Sequence, residues 1–182
     1  MASTEIVAVV QFVDVKVILG GVFVKKIGES RAITKYIAHA YEGKGTSLIN
    51  KDKNQMANIV VWMEVKAHRF DPIATKLIHE LLFTDFFGKE IDNAFVEENE
   101  AQLAKVLDVY KARLAMSKYL ACKYFTLADL DHMPALQYLM RTKVKQLIDE
   151  RPHVSAWCKD GLTRLAWEKV WALQEKRLKW LN

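Results

Sequence analysis

The sequence predicts a mainly α fold, an all-helical domain preceded by a β-hairpin and one further helix. Three observations carry this. Only 7 Gly and 3 Pro interrupt 182 residues, which favours long uninterrupted elements. From Glu29 onward apolar residues recur at the spacing of one helix face. Ahead of that point the chain changes character, becoming rich in the β-branched Val and Ile that favour strands.

In chain order, Val15 to Leu19, Gly20-Gly21 and Val22 to Lys26 have the form of two short strands around a glycine turn, where glycine supplies the positive φ that tight turns need. Ala32, Ile33, Tyr36, Ile37 and Ala40 then mark a helix beginning at Glu29, ended by Gly43 and Gly45. The polar stretch 44–51 reads as a linker, so the expected division is 1–43, 44–51 and 52–182. A long helix is expected over Asp52 to Leu82, disturbed near His68 to Asp71 because Pro72 lacks an N–H and its ring crowds the preceding turn. A second long helix is expected over Phe95 to Ser117, with Leu103, Val106, Leu107, Tyr110 and Leu114 facing inward. Shorter helices at Leu127 to Met140, Val154 to Leu162 and Ala166 to Arg177 complete a domain of five or six helices.

Composition excludes several classes. Just over half the residues (51%) are hydrophobic and 27% are charged, as in globular chains and unlike disordered ones. The net charge of +5 sits at the C-terminal end, where ten basic residues face five acidic ones from residue 140 onward, interleaved as on a solvated helix surface. No nucleic-acid recognition motif accompanies it. Gln11, Asp14 and Lys16 interrupt the apolar run Ile6 to Val24, and no basic region precedes it, so neither an export signal nor a membrane span is expected. Cys122 and Cys158 make no disulfide framework, and the five histidines show no ligand spacing. A reducing, cytosolic compartment and no metal are the expectations.

Two motifs stand out. Phe125-Thr-Leu-Ala-Asp-Leu130 is a helix start in which Thr126 and Asp129 can form a capping box and Phe125 can pack on Leu130. Glu29 and Ser30 put a carboxylate and a hydroxyl at a helix N-terminus. Free N–H groups there attract an anion, Ser30 can donate to it, and Glu29 can accept from an ammonium beside it, which together suit an α-amino-acid head group. The alternative is that Ser30 only caps the helix and Glu29 only offsets its dipole.

These segments, with Glu64-Val-Lys-Ala-His68, Phe70-Asp-Pro-Ile-Ala-Thr-Lys-Leu77, Leu103-Ala-Lys-Val-Leu-Asp-Val-Tyr110, Ser117-Lys-Tyr-Leu-Ala121 and Arg151-Pro-His-Val-Ser-Ala-Trp157, resemble the phi class of plant glutathione transferases in order and spacing. The resemblance implies an all-helical C-terminal domain behind a remnant of a thioredoxin-like domain, and a protein that joins glutathione to small hydrophobic electrophiles in detoxification. It implies glutathione as co-substrate and no cofactor. As partners it implies glutathione, an apolar electrophile or ligand, and a second subunit in a homodimer or heterodimer, with neither nucleic acid nor membrane. Glu29 and Ser30 match the pair that holds the γ-glutamyl end of glutathione. An electrophile pocket in the helical domain would involve His68, Phe70 and Ile73, although apolar residues at this spacing also read as core.

The family's catalytic serine, which stabilises the glutathione thiolate, has no assigned counterpart. Only 28 residues precede Glu29, where the family needs two strands, two helices and a hairpin. Lys16 stands near where the cis-proline would fall, and a second alignment would put Ser3 at the serine position without a strand to fix it. The catalytic residue is therefore unknown, and the alternative reading is a silent family member that binds ligands or pairs with another subunit.

Overall fold

The computed structural model describes residues 18–19, 22–23, 30–84 and 88–178. Two short antiparallel strands, β1 (Ile18–Leu19) and β2 (Val22–Phe23), pair Leu19 with Val22 and Ile18 with Phe23. The rest of the predicted hairpin, 15–17, 20–21 and 24–26, lies outside the described residues. Glu29, Lys16 and Ser3 lie outside the described residues.

Helix α1 (Ser30–Ala40) follows, and Gly43 and Gly45 take the positive φ values of 81° and 131° that end it. The rod predicted for 52–82 is present as α2 (Lys53–Val65), a π turn (Lys66–Phe70), α3 (Asp71–Ile78) and a second π turn (His79–Phe83). Asp52 starts it by accepting the Gln55 N–H at 2.8 Å. The disturbance expected from Pro72 takes the form of the first π turn, in which the Asp71 N–H reaches the Lys66 carbonyl. The widened turn lies where Pro72 has no N–H to give, so the chain stays helical instead of breaking.

Helix α4 (Asn93–Met116) is capped by Asp92, which accepts the Phe95 N–H at 3.0 Å. The helix predicted over 127–140 is two pieces, α5 (Leu127–Leu130) and α6 (Met133–Leu139). Pro134 explains the division, since it is tolerated only in the first turn of a new helix. A short α7 (Lys145–Asp149), not foreseen, precedes α8 (Pro152–Leu162) and α9 (Leu165–Leu178).

The main core lies among α3, α4, α6 and α8, with Phe70, Leu77, Leu103, Leu107, Leu136, Leu139 and Trp157 removed from solvent. Each such side chain contributes about 1.5–3 kcal/mol by leaving water. Helix α8 packs tightly on α6 at Gly161, where an added Cβ would run into the Met133 side chain. A smaller cluster of Ile49, Ile59, Met63, Cys122, Leu127 and Ala128 meets α1 through Ala38. Among the described residues no helix is long and apolar enough to cross a membrane.

Candidate functional site

Three arrangements, two polar and one largely apolar, lie between α1 and the helical core. The innermost is the capping box. Asp129 is fully buried and its carboxylate accepts four hydrogen bonds: Oδ1 from the Leu120 N–H (3.0 Å) and Trp157 Nε1 (2.9 Å), Oδ2 from the Thr126 N–H (2.9 Å) and hydroxyl (3.0 Å). Burial pushes its pKa up, and these donors oppose the rise. Beside it, buried His132 gives Nδ1–H to the Ala128 carbonyl at 2.6 Å and accepts the Tyr110 hydroxyl on Nε2 at 2.8 Å. Burial lowers the His132 pKa to about 3, and also raises that of Tyr110. Phe70, Tyr110 and Trp157 pack around the imidazole. This neutral, satisfied set is a fold device.

The second arrangement is the junction itself. Lys66, on the buried stripe Ile59, Met63, Lys66, Phe70, directs its ammonium to Asp71 at 2.7 Å. Asp131, just after α5, is buried beside this pair and beside Thr34 and Lys35 of α1. The third is an apolar groove of about 370 Å³ on the flank of α1, walled by Ile37, Tyr41, Leu127, Met133 and Trp167, with Lys44 and Arg164 on its rim. The Arg164 guanidinium lies 4.2 Å from the centre of the Phe125 ring.

Among the residues read from sequence, Ser30 opens α1 and is half-buried. Its partner Glu29 is outside the described residues. His68, Phe70 and Ile73 are not brought together into one pocket. The His68 side chain is 73% exposed and paired with Glu64 at 3.1 Å, the Phe70 ring is in the core at 0% exposure, and Ile73 is half-buried against that core. The physical reason is the π turn, which carries Phe70 inward and leaves His68 on the outer face. Neither cysteine is set up as a nucleophile, since burial raises Cys122 and pushes Cys158 up to about 12. Among the described residues no three His, Cys, Asp or Glu side chains are placed to hold a metal ion.

Sequence reading missed the junction. The signal was available in Lys66, a cation at core spacing, and in Asp131 and His132, two polar residues set directly behind a buried capping box.

The fold has known counterparts. Residues 70–164 match the family model for the glutathione S-transferase C-terminal domain. A glutathione S-transferase of Silene vulgaris is 58% identical over 154 residues, 83% of this chain and 71% of the relative. Glutathione S-transferase F6 of Arabidopsis thaliana is 51% identical over 145 residues, 80% of this chain and 69% of the relative. The solved structure of glutathione S-transferase III in its apo form superposes with a TM-score of 0.76 at 44% identity, covering 80% of this chain and 67% of that one. The helical architecture is therefore that of a glutathione S-transferase C-terminal domain. The chain belongs to the glutathione S-transferase family, and within it to the plant phi class.

Proposed function

We propose that this chain is a cytosolic glutathione transferase that adds the glutathione thiol to small hydrophobic electrophiles as one subunit of a dimer. On this reading residues 1–43 belong to the glutathione-binding part, 44–51 are a linker and 52–182 form the helical domain. Glu29 and Ser30 hold the γ-glutamyl end. The observation that supports it is the place of Ser30 as first residue of α1, where the helix dipole favours a carboxylate and the hydroxyl can donate to it. Glu29, one residue earlier, would accept from the α-ammonium.

The test is binding to immobilised glutathione together with conjugation of a chloronitrobenzene substrate. Retention and turnover are expected, and Ser30→Ala should weaken binding about tenfold by removing one charge-assisted hydrogen bond. A chain that does neither would end this reading.

A second reading, a ligand-binding member without turnover, is favoured by the groove beside α1. Its apolar wall and two cations, Lys44 and Arg164, against one carboxylate, Glu42, suit an apolar anion. An anilinonaphthalene sulfonate probe should brighten on binding, and Trp167→Ala should reduce that response. An unchanged response in the variant would remove the groove from consideration.

A further inference from the structure

The groove beside α1 is mostly apolar, and its few charges are unevenly matched. Glu42, Lys44 and Arg164 are the charged residues in its lining. Glu42 is already paired, with Lys51 at 3.5 Å. Arg164 has no carboxylate to itself. Asp160 Oδ2 stands 3.6 Å from its Nη1, beyond hydrogen-bond reach, and Asp160 already takes the Lys118 ammonium and the Tyr119 hydroxyl, each at 3.0 Å. Around the rim, then, the cations Lys44, Lys51, Lys118 and Arg164 outnumber the carboxylates Glu42 and Asp160.

The Arg164 guanidinium lies over the Phe125 ring, 4.2 Å from its centre. An aromatic face beneath a planar cation steadies it without using a hydrogen-bond acceptor. Among the described residues no acceptor is within hydrogen-bond reach of its N–H groups. The wall beside it is aromatic as well as apolar. Trp167 is 4% exposed and spends its Nε1–H on Gln137 at 2.9 Å, so the ring offers the groove only its apolar surface. A volume of about 370 Å³ is at the small end for ligand sites, on the scale of a molecule with two or three rings.

We propose that the groove binds a planar aromatic carboxylate, its rings on the apolar wall that includes Trp167 and its carboxylate taken by the N–H fork of Arg164. The proposal rests on the ligand-binding reading above and adds to it the head group and the residue that selects it. Two parallel N–H donors match the two oxygens of a carboxylate, whereas a neutral ester has no charge for them to meet. Lys44 adds positive charge at the rim.

Isothermal titration of the intact chain with 2-naphthoate and with its methyl ester tests this, because the two share their rings and differ in charge. The acid should bind about tenfold more tightly than the ester. Arg164→Gln should abolish that preference and leave the ester within about twofold of its wild-type affinity. Arg164→Lys keeps the charge without the fork, and the acid should weaken about threefold. Equal affinity of acid and ester in the wild-type chain would overturn the proposal, and so would a preference for the acid that survives in Arg164→Gln. Trp167→Ala separates this failure from that of the underlying reading. If Trp167→Ala weakens both ligands while Arg164→Gln changes neither, the groove stands and its carboxylate selectivity falls. If neither ligand binds, or Trp167→Ala alters neither, the ligand-binding reading falls and the proposal with it. The comparison of acid and ester in the wild-type chain needs no substitution, so it remains decisive even where a variant does not fold.

Discussion

Asp129 and Asp131 are two residues apart, both buried, and differ in almost everything else. Four donors converge on Asp129 from α8, the loop before α5 and its own helix start, so its burial is compensated. Asp131 keeps an oxygen without a partner and looks across to α1. The contrast shows how one short helix serves two purposes. Its first turn fastens the helical domain to itself, and the residue just past its end lies near the element that carries Ser30.

The contrast can be broken most forcefully from the Asp129 side. Asp129→Ala strands the Trp157 and Leu120 N–H groups and the Thr126 donors in the core, and should cost about 4 kcal/mol. A urea midpoint reports this, and a loss under about 1 kcal/mol would mean the network is not a keystone. Next in size is an acid effect. His132 is neutral in the fold, its pKa lowered to about 3, so only the unfolded chain gains a proton as pH drops below 6.5. Measured in Asp131→Asn, where the opposing titration is gone, stability should fall by about 2 kcal/mol between pH 6.5 and 5. A level profile would show that His132 takes up protons in the fold.

Tyr110→Phe removes the hydroxyl that His132 Nε2 accepts at 2.8 Å and should cost about 1.5 kcal/mol by the same urea assay. At the small end, Lys51→Ala breaks an ion pair with Glu42 at 3.5 Å whose lysine is 88% exposed, and no change beyond about 0.5 kcal/mol is expected. A larger loss would show that this surface pair carries more of the fold than its exposure implies.

Much of the helical domain was legible because its long helices bury one continuous stripe each. Leu103, Leu107, Tyr110 and Leu114 repeat at three and four residues and all reach the core. Thr126 and Asp129 were legible for a different reason, since a capping box is local chemistry written in four residues. The elements that were missed lack both signals. Helix α7 is five residues long and carries Lys145, Gln146 and Asp149 against only one fully buried residue, Ile148, too short for periodicity to show. The π turns depend on how the rod packs, which no local pattern records. His68 and Phe70 sit two residues apart in one such turn, and that turn is what separates them into solvent and core.

Of the candidate site, only the half on α1 could be read, because a serine at a helix start has meaning by itself. The junction that seats α1 depends on Thr34, Lys66, Asp71 and Asp131, spread over nearly a hundred residues. Spatial convergence of that kind is produced by the fold and is invisible before it.

The proposed function requires that α1 grip glutathione through its first residue. Isothermal titration of the intact chain with glutathione, beside Ser30→Ala, asks this directly. Saturable binding that weakens about tenfold in the variant is the expected result. No heat in either protein, or equal affinity in both, would contradict it.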